Sequence, residues 1–145
     1  MKYSARLSDA VHILAFILEN KNEKLTSADI AVSIQTNPSY IRQLMAQLKK
    51  ADLLITQQGQ ARPMLGKSPQ EITLLMIYRA VEGEKPLLHL DTHTNPACGV
   101  GVHIQLSLAE YYQRIQQKAE QEMDAITLAD IMETFHQKIK KSTAQ

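Results

Sequence analysis

Four polar side chains crowd the start of the stretch "NPSYIRQLMAQLKK": Ser39, Tyr40, Arg42 and Gln43. In the major groove of DNA an arginine pairs bidentately with guanine and a glutamine with adenine, while serine and tyrosine hydroxyls bond phosphate oxygens. Behind them Ile41, Leu44, Met45 and Leu48 recur at i, i+3, i+4 and i+7, the stripe of a helix anchored on one side. The opposite face, continued by Gln47 and Lys50, is polar. Water alone explains such a face as well as a nucleic-acid groove does, so the choice depends on the neighbouring elements.

A second group with reactive chemistry surrounds "NPACGVGVH". His89, His93, Cys98 and His103 are the ligand types of a zinc site, but their spacing matches no zinc signature, and solvated loop histidines with no bound metal are expected. Catalysis by Cys98 with His93 or His103 would need a third group holding the pair in a cleft, and the chain has neither a Gly-rich phosphate loop nor a paired-carboxylate motif. An enzyme is therefore not expected. Cys98 itself has two readings, a reversible thiol switch or a small buried hydrophobe.

The elements that must carry these residues follow from periodicity and caps. Residues 7–20, "LSDAVHILAFILEN", place Leu7, Val11, Leu14 and Leu18 on one stripe, widened by Ile13 and Ile17. Thr26 or Ser27 caps the short helix "SADIAVSI", with Ile30, Ala31 and Ile34 inward, and "QTNP" breaks it. Asn37 then suits an N-cap and Pro38 the first helical position, which starts a third helix at about residue 38. A short helix, a tight break and a longer helix make a helix-turn-helix. "LLITQQ", "GQAR" and "PMLGK" read as strand, turn and strand, a two-stranded wing. From Pro38 to Lys67 five basic residues face Asp52 alone, a local balance of +4 in a chain whose net charge is +1. Such a local excess suits phosphate contacts.

"SPQEITLLMIYRAVEG" predicts a fourth helix over 68–83, with Ser68 and Glu71 as a capping box, Pro69 at the first position, and Ile72, Leu75, Met76 and Ala80 inward. Residues 84–101, with Pro86, Pro96, Gly99 and Gly101, read as a loop or short strand rather than a helix. A long helix over about 102–124 carries Ile104, Leu108, Tyr111, Ile115 and Ala119 in a narrow seam roughly 35 Å long. A domain this small cannot enclose it, so the seam is expected to meet a partner helix. Thr127 caps a last helix bearing Leu128, Ile131, Met132, Phe135 and Ile139, to lie beside the long helix or across the partner. The expected organisation is a DNA-binding domain over 1–83, a sensor or linker loop over 84–101 and a helical dimerisation region over 102–145.

Whole-chain composition is consistent with that organisation. At 145 residues and 44% hydrophobic the chain can enclose one core. One cysteine excludes an intrachain disulfide and fits a reducing compartment. The longest apolar run, "AVHILAFIL", is about half of the ~20 residues a membrane span needs, so a soluble cytoplasmic protein is expected.

Taken in order, "LSDAVHILAFI", "TNPSYIRQLMAQLKKADLL", "SPQEITLLMIYRAVEG" and "NPACGVGVHIQ" resemble the Rrf-two family of bacterial winged-helix transcription regulators, relatives of IscR, NsrR and CymR, and most of all its YwnA-like branch. The resemblance covers almost the whole chain. It implies a mainly α fold with a small β-hairpin wing, a winged helix-turn-helix plus long dimerisation helix. It also implies a homodimer whose third helices enter successive major grooves of a pseudo-palindromic double-stranded DNA operator while the wings reach minor grooves. Carried over by position, the contacts fall on Ser39, Tyr40, Arg42 and Gln43 and, in the wing, on Gln57, Gln58 and Gly59 with Arg62 nearby. The wing departs from the pattern, since cluster-bearing relatives have a Gly-rich stretch and an aromatic where this chain has "QARP". Cys98 falls in the family's sensor loop, which implies a redox or small-effector response. Members with an iron-sulfur cluster use three cysteines there, and one per subunit leaves a dimer with half the usual four thiolates, so no cofactor is expected. The expected function is a dimeric sequence-specific DNA-binding transcriptional regulator, a repressor. The alternative is a winged-helix protein-interaction module without specific DNA binding.

Overall fold

The computed structural model describes residues 3–20, 24–56 and 62–143. The elements run α1 (Arg6–Glu19), α2 (Ser27–Ile34), α3 (Pro38–Lys50), β1 (Leu54–Thr56), β2 (Pro63–Leu65), α4 (Leu74–Glu82), α5 (Gly99–Ala125) and α6 (Leu128–Thr143). This is the winged helix-turn-helix with a long appended helix that the sequence predicts.

Caps set the boundaries of the helix-turn-helix. Thr26 and Asp29 bond reciprocally: Asp29 N donates to Thr26 Oγ1 at 3.2 Å and Thr26 N to Asp29 Oδ2 at 3.0 Å. The Thr26 N–H, and after it the Thr26 hydroxyl, which donates to the same Asp29 Oδ2 at 2.8 Å, hold the Asp29 carboxyl below its ordinary pKa. Gln35 closes α2 in the left-handed region at φ 61°. Two residues later Asn37 Oδ1 accepts from Tyr40 N at 2.8 Å, and Pro38 supplies the first turn of α3. The core of α1 centres on Ala10, Ile13, Leu14 and Ile17, with Leu7, Val11 and Leu18 only flanking it. An apolar run from 10 to 18 fits several helical stripes, and the neighbouring helices select one.

The wing is antiparallel, with Leu54 opposite Leu65 and Thr56 opposite Pro63. Its base is pinned where Gly66 N donates to Leu53 O at 3.0 Å. A Cβ at Gly66 would stand 2.1 Å from Asp52 O, so only glycine fits. Of the turn "GQAR", residues 59–61 lie outside the described residues.

The fourth helix starts at Leu74, not at Pro69. Ser68 and Glu71 do pair, Ser68 N donating to Glu71 Oε2 at 3.3 Å, but they close a single turn. Then the chain extends: Thr73 bridges Thr127, Ile72 O accepts from Leu128 N at 2.7 Å, and Leu74 N donates to Ile126 O at 2.8 Å. Pairing with a segment over 50 positions downstream replaces the local helical bonds. Thr73 is the real N-cap, accepting from Met76 N at 3.2 Å. The inward side chains are Leu75, Ile77, Tyr78 and Val81, while Met76 is exposed.

α5 begins at Gly99, three positions before the expected start, and runs for 27 residues without one buried side chain. The first turns of α6 pack elsewhere than beside the long helix. Its Thr127 cap forms as expected, with Asp130 N donating to Thr127 Oγ1 at 3.0 Å. However, Leu128 and Met132 enter the core shared by α1 to α4, and Ala129 N donates to Pro69 O at 3.0 Å. The region over 102–145 is thus divided, its last helix starting inside the core of the N-terminal unit.

Candidate nucleic-acid interface

α3 is cleanly divided. Ile41, Leu44 and Leu48 are fully buried, whereas Ser39, Arg42, Gln43, Lys49 and Lys50 are exposed. The buried side fixes the helix by close packing, so the exposed side is presented on a rigid support. Arg42 lies against two hydroxyls: Nη2 donates to Ser39 Oγ at 3.1 Å and Nη1 to Ser27 Oγ at 3.4 Å. Ser27 is the first residue of α2, so this contact joins the N-terminal turns of both helices. From the sequence Ser27 is only a candidate cap. Its spatial position beside Arg42 depends on the turn at Gln35, which no linear spacing reveals.

Tyr40, expected to meet DNA, turns its hydroxyl inward and donates to Asp9 Oδ2 at 2.9 Å. Burial first, then the bond to Asp9 and its charge, push the phenol up from 10.0 to about 12. Arg6 lies 5.9 Å from the centre of the Tyr40 ring, donates through Nε to Val81 O at 2.9 Å, and bonds the Gln47 side chain of α3. Tyr40, Arg6, Asp9 and Gln47 therefore lock α3 onto α1 and α4. Arg62 is engaged too: its Nη2 donates to Ile17 O at 3.4 Å and to Asn20 O, the last carbonyls of α1, where a cation is also favoured by the helix dipole. Tyr40 and Arg62 thus serve as internal fasteners in this conformation. Gln57, Gln58 and Gly59 lie outside the described residues.

The loop around Cys98 gathers no metal site. Among the described residues no three His, Cys, Asp or Glu side chains converge as ligands. His93 lies near Asp91, at 3.7 Å, and His103 Nδ1 bonds Gly99 O at 2.6 Å within its own helix. Cys98 is exposed at the N-cap of α5, not buried as one of its two readings required. Along α5, Ile104, Tyr111 and Ile115 are 50%, 56% and 49% exposed. None of the described helices is long and apolar enough to cross a membrane.

Residues 3–134 match the family model Rrf2, described as an iron-dependent transcriptional regulator. The chain belongs to the Rrf2 family. It is 39% identical over 129 residues to YwnA of Bacillus subtilis, assigned as a helix-turn-helix transcriptional regulator, covering 89% of this chain and 96% of YwnA. A crystal structure assigned to a DNA-binding protein matches at 38% identity with a TM-score of 0.70, over 88% of this chain and 98% of that one. CymR, the global cysteine regulator of Bacillus subtilis, shares the fold at 22% identity and a TM-score of 0.64, over 90% of this chain and 95% of CymR. The family and YwnA are transcriptional regulators, which sets aside enzymatic use of Cys98. An iron-sulfur cluster does not fit the residues present: it takes four ligands, mostly thiolates, and this chain has one cysteine.

Proposed function

We propose that this Rrf2 protein is a cytoplasmic homodimeric repressor that binds a pseudo-palindromic operator with its two α3 helices in successive major grooves. The observation that carries the reading is the divided α3, with Arg42 and Gln43 exposed on a helix whose Ile41, Leu44 and Leu48 are fully buried. Arg42 reads a guanine edge and Gln43 an adenine, Ser39 and Ser27 meet phosphate, and Lys49, Lys50 and Lys67 add charge. Gln57, Gln58 and Gly59 reach the minor groove from the wing, while Tyr40 and Arg62 position α3 and the wing from behind. The exposed seam of α5 packs against the same seam of a second copy. No resident cofactor takes part, and the exposed Cys98 thiol provides the redox or effector response.

Selection of bound duplexes from a genomic pool, run in parallel with reduced and oxidised protein, tests these statements together. An enriched two-fold-symmetric site is expected, with oxidation changing its occupancy. Arg42→Ala should cost about 1–3 kcal/mol on the selected site and relax the preference at one base pair per half-site. Occupancy of a site overlapping a promoter should lower transcription in vitro. Unchanged binding by Arg42→Ala, or salt-sensitive binding without any enriched site, would favour the protein-interaction module instead.

A further inference from the structure

Between the last turns of α1 and the strand β2 lies a cavity of about 440 Å³. Ile17, Leu18, Met64 and Leu65 give it apolar walls, two cations line it, Arg62 and Lys67, and no acidic side chain does so among the described residues. Small-molecule sites are of this kind: roughly 300–1,000 Å³, mostly apolar, with a few polar groups that fix orientation. Met64 is 38% exposed, an apolar side chain left without cover in a wall of the cavity.

Arg62 is prepared for an anion. Both of its contacts to α1 are made by Nη2, so Nε and Nη1 have no acceptor among the described residues. A guanidinium carries five N–H donors in a planar fork, and one end can rest on carbonyls while another edge takes a carboxylate. The carbonyl contacts also restrict the side chain before a ligand arrives, which lowers the entropic cost of binding. Lys67 adds a second positive charge on a flexible stem.

We propose that this cavity is a binding site for a small monocarboxylic acid with an apolar body. The carboxylate sits on Arg62 and Lys67, and the body covers Ile17, Leu18 and Met64. A neutral apolar molecule leaves the two cations without a partner, an amine is repelled by them, and a polar diacid leaves the apolar walls wet. The acid touches both α1 and β2, so the site joins the wing to the rest of the domain.

Calorimetric titration of the full chain with octanoate, 1-octanol and octylamine, all below micelle-forming concentrations, decides the matter. It uses no DNA, so its outcome is separate from that of operator selection. Octanoate should bind saturably at one site per chain, with the alcohol and the amine at least about tenfold weaker. Lys67→Gln, at an exposed position, should weaken octanoate several-fold. Met64→Trp, which fills the cavity from its wall, should abolish binding while leaving the helical circular dichroism intact. Octanol or octylamine binding as tightly as octanoate would overturn the proposal, and so would unchanged octanoate binding by Met64→Trp.

Discussion

α3 and α5 are both amphipathic, and they resolve their apolar faces in opposite ways. In 13 residues α3 buries Ile41, Leu44 and Leu48 completely, whereas in 27 residues α5 buries no side chain completely. α3 has a side-chain cap from Asn37, and α5 has none from Cys98. An amphipathic pattern therefore states which face is apolar, not what covers it. In α3 the chain itself covers the apolar face and leaves the polar one to do chemistry. In α5 the apolar face is the one left over, which is why a second copy is its proposed cover.

The largest expected effect would come from breaking the α3 side. Leu44→Ala should remove about 2–5 kcal/mol of stability, read from denaturant unfolding, because a fully buried leucine leaves a cavity behind. Next comes the double change Ile104→Asp with Ile115→Asp on α5. The single-chain fold should persist by circular dichroism, while sedimentation shows loss of self-association and the melting temperature ceases to depend on concentration. If this pair destabilises the single chain as much as Leu44→Ala does, the two helices are alike and the contrast fails. The caps give a smaller test: Asn37→Ala should cost about 1 kcal/mol, while Cys98→Ala should leave stability nearly unchanged.

The same contrast explains what could be read from the chain. Thr26 and Asn37 cap residues three positions away and Pro38 occupies the first position of its own helix, so the starts of α2 and α3 are legible locally. The α5 seam is legible because length and a thin apolar stripe suffice to mark it. The start of α4 was not, because the Ser68 and Glu71 pair is real but hydrogen bonds from Ile72 and Leu74 to residues 126–128 set the backbone immediately after it. At the site, Ser39, Arg42 and Gln43 are exposed as their place on the helix implies. Tyr40 and Arg62 are not free, because Asp9 and the carbonyls of Ile17 and Asn20 lie 31 or more positions away in the chain. A polar residue at a suitable helical position is only a candidate until its distant partners are known.

Tyr40 allows the finest test of that point. Its hydroxyl bond to Asp9 is partly buried, so Tyr40→Phe should cost only about 0.5–1 kcal/mol at neutral pH. The phenol is raised from 10.0 to about 12, chiefly by burial and then by Asp9. In the folded chain it therefore stays protonated after the unfolded phenol has ionised. Its contribution is complete below about pH 10 and is lost as pH rises through about 12. The stability difference between the wild type and Tyr40→Phe should accordingly shrink across that window. On α5, Tyr111 is 56% exposed and its hydroxyl has no partner among the described residues, so Tyr111→Phe should change stability at pH 7 by nearly nothing. A Tyr40→Phe difference that stays constant up to pH 12 would mean that the hydroxyl is not held by Asp9. Tyr40 would then be available to phosphate, and α3 would present one more contact to DNA.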